Sequence, residues 1–149
     1  MLKAEINQTY LRGGARLPLA LTHRVLREVS RALNLKKQTL ISVAFISPSH
    51  MRRLNREWRR HDKVTDVLSF PLPSSDPKGA IGEVLLCYEQ AAKQAKEAGH
   101  STRSEVVMLL VHGILHVFGF DHETARDAAK MLPLQARILK SVERPLQNS

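Results

Sequence analysis

The chain has 149 residues, 43% of them hydrophobic, enough for one domain spanning 1–149 with a substantial core. Twenty-three lysines and arginines face fourteen aspartates and glutamates, and the resulting formal net charge of +9 attracts polyanions: RNA, DNA or an anionic membrane surface. No run reaches the roughly 18 apolar residues of a membrane span, MLKAEINQTY lacks the apolar core of a signal peptide, and the lone Cys87 can form no internal disulfide. A cytoplasmic protein with no membrane partner is expected.

Leu2, Ala4 and Ile6 alternate with Lys3, Glu5 and Asn7, the period of a half-buried strand, here expected to end near Tyr10. A basic glycine-containing loop follows, and Pro18 then opens a helix whose Leu21, Val25, Val29 and Leu33 face a core. Thr39 to Ile46 is rich in β-branched and apolar residues and reads as the second strand.

Ser47-Pro48 starts a second helix, in which Met51, Leu54 and Trp58 make the apolar face. The remainder of this segment is one-sided in charge: Arg52, Arg53, Arg56, Arg59, Arg60 and Lys63 face only Glu57 and Asp62. Solvated helix faces generally mix signs, so this run is read as a surface in contact with phosphates. No basic amphipathic helix carries bulky aromatics on its apolar face as a membrane binder would, which leaves nucleic acid as the leading polyanion.

Val64 to Phe70 reads as a third strand, with Asp66 on the face of Val64, Leu68 and Phe70. The proline-rich stretch from Pro71 to Gly79 is an exposed loop. A fourth strand is expected over Ile81 to Cys87, and an alanine-rich helix over Glu89 to Ala98, closed by Gly99. Thr102 and Glu105 form a T-x-x-E capping box for an apolar helix, and a last helix runs from about Glu123 to Val142, where Pro133 should kink it. The tail RPLQNS should fray. The pattern is α/β (α+β): a small mixed sheet of about four strands, packed with helices around a buried central helix that carries histidines.

That helix holds HGILHVFGFDH, His112 to His122. His112 and His116 lie four residues apart and so share a helix face. Gly119 can end the helix and bring His122 back toward them. Three imidazoles are the ligand set of a catalytic zinc, whose open fourth position takes a water with pKa lowered to roughly 7. Two histidines buried in so apolar a segment without partners would cost about 1–3 kcal/mol each, which weighs against a plain core role. The spacing H-x3-H-x2-G-x2-H matches metzincin proteases, but Gly113 stands where they carry the glutamate base, so zinc proteolysis falls behind another metal hydrolysis.

Two stretches resemble the YbeY family of bacterial endoribonucleases, the rRNA maturation factors. HGILHVFGFDH is similar to that family's H-G-x-L-H-L-x-G-Y-D-H signature, and LNREWRRHDKVTDVLSFP, from Leu54 to Pro71, to its L-N-x-x-Y-R-x-x-D-x-x-T-D-V-L-S-F-P segment. Trp58 and Phe120 stand where the family has tyrosine, and Glu83 where it has aspartate. The resemblance implies one α/β domain with one zinc ion on His112, His116 and His122. It implies a single-strand-specific, zinc-dependent endoribonuclease acting in 3′-end maturation of small-subunit rRNA, ribosome assembly and rRNA quality control. The partners it implies are rRNA, the small ribosomal subunit, and ribosomal or GTPase assembly proteins.

By position, Arg59 matches the family's functionally important arginine, and with His112 and His116 it makes the catalytic set. Its guanidinium could clamp a scissile phosphate. Asp121 and Asp66 are candidates to orient a ligand's second nitrogen, and Asp66 could instead cap a strand end. The nucleophile is either zinc-activated water or the RNA's own 2′-OH. Two alternatives remain: a non-catalytic assembly factor that binds RNA and carries a structural metal, and a metalloprotease with a different base.

Overall fold

The computed structural model describes residues 1–144, so the tail expected to fray lies outside them from residue 145 onward. The elements run in the order β1 (Leu2–Asn7), α1 (Leu19–Ala32), β2 (Thr39–Phe45), α2 (Pro48–Arg59), β3 (Val67–Pro71), β4 (Ala80–Leu86), α3 (Tyr88–Ala98), α4 (Thr102–Val117) and α5 (Ala125–Glu143). Four strands form one mixed sheet in the order β1-β2-β4-β3. β1 and β4 run parallel to β2, and β3 is the antiparallel edge strand on β4.

Side-chain alternation along the strands divides the core into two layers. Ile41, Val43 and Phe45 of β2 and Val84 and Leu86 of β4 face α1, α4 and α5. Leu85 of β4, Cys87 just beyond it and Leu68 of β3 point the other way, toward Met51 of α2. Cys87 thus ends buried at the start of α3. α4 lies at the centre, against α1, α3, α5, β3 and β4. Its residues Val106, Val107, Leu109, Leu110, Val111, Ile114 and Leu115 are all buried.

Two glycines let α4 approach the sheet. A Cβ on Gly113 would lie 2.6 Å from Val84 Cγ1 and 3.1 Å from Val67 Cγ2, and one on Gly82 of β4 would lie 2.4 Å from Val117 Cγ1. Each glycine receives a valine from the opposite element. Ser69 Oγ of β3 reinforces the seam by donating to the Gly113 carbonyl at 2.9 Å.

Several boundaries differ from the pattern reading. β1 stops at Asn7 because the Asn7 side chain accepts from Thr9 N and Oγ1 and turns the chain. Asp66 precedes β3 and is not on its face: its Oδ1 accepts from Val67 N at 2.8 Å, which caps the strand start. The cap of α4 sits one residue earlier than the T-x-x-E box, on Ser101, which accepts from Ser104 N. Glu105 is buried instead, bonded to His100 and Gln94. α5 begins after Thr124 and continues through Pro133 to Glu143.

Trp58 leaves the core: Met51 is buried and Leu54 partly so, but Trp58 is 67% exposed. Its aromatic contact, Phe70, lies on the edge strand β3, where the sheet of the described residues ends. Gly113→Ala should cost about 1–3 kcal/mol, because Val84 and Val67 are held by core neighbours and cannot retreat. Urea denaturation against wild type measures it.

Candidate metal centre

His112 and His116 occupy the last turns of α4, half-buried, and the helix ends where Gly119 takes φ +94. The chain reverses there and brings the exposed His122 back to the pair. One nitrogen from each of the three rings lies within 4.8 Å of the other two. His112 Nε2 and His116 Nε2 are 3.0 Å apart. Zn–N bonds of roughly 2.0–2.1 Å at tetrahedral angles set ligand nitrogens about 3.3 Å apart, near the spacing of the His112–His116 pair, and the three side chains together could hold a metal ion.

The protonation pattern supports the same use. Burial lowers the pKa of both α4 imidazoles; the other rings of the trio add to this, the His122 ring at His112 and both His112 and His122 at His116. Gln135 and Asp66 act the other way at His112, and Asp121 and Phe120 at His116. Neutral rings at neutral pH are what a metal requires.

Gln135 of α5 fixes the tautomer. His112 Nδ1 donates to Gln135 Oε1 at 2.8 Å, which leaves the lone pair of the neutral ring on Nε2, the nitrogen facing His116. Sequence reading missed this residue and assigned an orienting role to Asp121 or Asp66. Asp121 accepts from Glu123 N at 2.7 Å in a local turn. Asp66 accepts from Gln94 Nε2 at 3.0 Å as well as from Val67 N, and hydrogen-bonds to no ligand ring. A signal for Gln135 existed: it follows Met131 by four residues and precedes Ile138 by three, a polar residue beside the buried stripe of α5.

The trio opens into a cleft of about 570 Å³, with Arg59, Thr65, Asp66, Ser69 and Glu123 also along its walls. Arg59 reaches it from the C-terminal end of α2. Its Nη2 donates to Ser69 O at 2.7 Å, and its guanidinium carbon lies 5.2 Å from the Phe70 ring centroid. Arg52 forms a two-point pair with Asp62, at 2.8 and 3.2 Å, and Arg56 lies 3.6 Å from the same carboxylate. Among the described residues Arg53, Arg59, Arg60 and Lys63 make no salt bridge, so four of the six basic residues of the run lack an acidic partner. A Cβ on Gly113 would press on Val84, Ser69 and Val67, so the packing leaves no room for a glutamate at that position. This removes the metzincin arrangement on steric grounds.

The profile of the family described as Endoribonuclease YbeY matches residues 15–143. The chain belongs to the YbeY family. It is 34% identical over 148 residues to the Endoribonuclease YbeY of Renibacterium salmoninarum, covering 94% of this chain and 92% of that protein. It is 44% identical over 103 residues to that of Myxococcus xanthus, covering 66% of this chain and 35% of that longer protein. The solution structure of TM1509 from Thermotoga maritima superposes with a TM-score of 0.64 at 26% identity, covering 95% of this chain and 89% of that one. YbeY membership agrees with both quoted motifs, and with the α/β fold of four strands and five helices.

Gln135→Leu should keep the fold but weaken metal binding roughly 10- to 100-fold, the usual effect of removing a ligand's hydrogen-bond partner. Competition with a chromophoric chelator measures it.

Proposed function

We propose that this protein is a cytoplasmic endoribonuclease that cleaves single-stranded RNA at one zinc ion held by His112, His116 and His122. Its proposed task is 3′-end maturation of small-subunit rRNA, with roles in ribosome assembly and rRNA quality control beside ribosomal and GTPase assembly proteins. The observation that carries the reading is the convergence of three imidazoles in one cleft with Arg59. Family membership and the names of the relatives support the RNA substrate.

Zinc bound there supplies Lewis acidity, which acidifies water and polarises a phosphoryl oxygen. The chain's own groups do the remainder. Ser69 O takes one of the five N–H donors of Arg59, and the others remain for phosphate oxygens, whose developing charge the guanidinium offsets. A cation–π contact with Phe70, 5.2 Å from the guanidinium carbon to the ring centroid, supports the arginine while it does so. Gln135 keeps His112 in the ligating tautomer. Arg53, Arg60 and Lys63 attract the RNA backbone before it reaches the cleft.

Elemental analysis should find one zinc per chain, lost in His116→Ala together with cleavage of a structured rRNA fragment. Zinc retained without zinc-dependent cleavage would favour a structural ion in an assembly factor. Arg59→Ala should keep its zinc and lose roughly 100-fold or more in turnover. A cyclic phosphate on the product would identify the 2′-OH as nucleophile, whereas attack by water leaves none. With about four phosphate contacts from Arg53, Arg59, Arg60 and Lys63, log K against log salt should fall with a slope near −2.8; a flat dependence would remove the basic surface from the reading.

A further inference from the structure

Trp58 is the single tryptophan of the chain, and it is 67% exposed. Its one aromatic neighbour is Phe70, met edge-on with ring centroids 6.2 Å apart and planes at 64°. That contact leaves most of the indole in water. The Arg59 guanidinium carbon lies over the same Phe70 ring, 5.2 Å from its centroid, so Trp58, Phe70 and Arg59 form one cluster at the C-terminal end of α2. The cluster borders the histidine cleft, because Arg59 and both chain neighbours of Phe70, Ser69 and Pro71, line its wall.

An open aromatic surface beside a fixed guanidinium is complementary to a ligand that combines a flat π-face with an anion. A nucleotide is that ligand. Its base can stack on the indole while its phosphate meets Arg59. The base must be unpaired and splayed out, since the faces of a base in a duplex are covered by its neighbours.

We propose that Trp58 is a stacking platform for one unpaired base of single-stranded RNA, at the mouth of the cleft and next to the phosphate that Arg59 holds. The inference rests on the endoribonuclease reading and extends it, since it gives a physical origin for preference for single strands. Cation and platform act on the same nucleotide: Arg59 fixes the phosphate, and Trp58 fixes the base that would otherwise rotate away.

Because Trp58 is the only tryptophan, its fluorescence reports the contact directly. The zinc-loaded full chain is titrated with a short single-stranded 2′-O-methyl RNA, confirmed intact by gel after the titration, and anisotropy of an end label on the RNA records binding independently. Quenching should track the anisotropy and be absent with a blunt duplex of the same sequence. Replacing bases one at a time by abasic sites should abolish quenching at one position. Trp58→Ala should lose roughly 5- to 100-fold in affinity, the range spanned by aromatic–base stacking, and Trp58→Tyr should restore most of it.

Binding with unchanged fluorescence, or with equal affinity in Trp58→Ala, would overturn the platform and leave the nuclease reading in place. Quenching indifferent to the position of the abasic site would also overturn it, marking Trp58 as a packing group for α2. No anisotropy change with any RNA would overturn the RNA reading, and the platform with it.

Discussion

The candidate metal centre depends on how closely α4 lies against the β3–β4 hairpin. Two interlocked contacts set that distance, Val84 into the space left by Gly113 and Val117 into the space left by Gly82. A core of ordinary side chains on both elements would hold the helix further out. His112 and His116 would then move away from the wall that carries Ser69 and Asp66. The apolar residues of α4 stabilise the helix in bulk, but the glycines determine where its histidines stand. Gly113 therefore has a packing reason to be the residue after His112, independent of any catalytic loss or gain.

Around this seam, polar groups settle the remaining freedom. Gln94 of α3 donates to both Asp66 and the buried Glu105, so the start of β3 is tied to the first turn of α4 through α3. Buried Asn55 of α2 donates to the Lys63 carbonyl at 2.9 Å and fastens the chain that leads from α2 to β3. Leaving such a carbonyl without its partner costs about 1–3 kcal/mol. These bonds hold the segment between Arg59 and β3 in one course, which places the arginine.

Most of the architecture was legible because its signals are local. Strand alternation in Leu2–Asn7, the terminating role of Gly119 and the i, i+4 pair of His112 and His116 are each contained in a few neighbouring residues. What escaped is contact between residues distant in sequence. Gln135 lies 23 residues from His112, and no spacing rule connects them. Asp66 looked like a strand residue because Val64, Leu68 and Phe70 share its parity, but its carboxylate competes for the Val67 amide and delays the ladder. Trp58 continued an apolar stripe correctly along α2, and only the position of the sheet edge decided that nothing would cover it.

Ser69 touches both walls of the cleft at once. Its hydroxyl holds the backbone of α4 at Gly113, and its carbonyl holds the guanidinium of Arg59. One residue therefore acts as a spacer that gauges the gap between the imidazoles and the arginine. Any shift of Ser69 along β3 would therefore displace both walls together, so the width of the cleft is a property of the sheet edge and not of either wall alone.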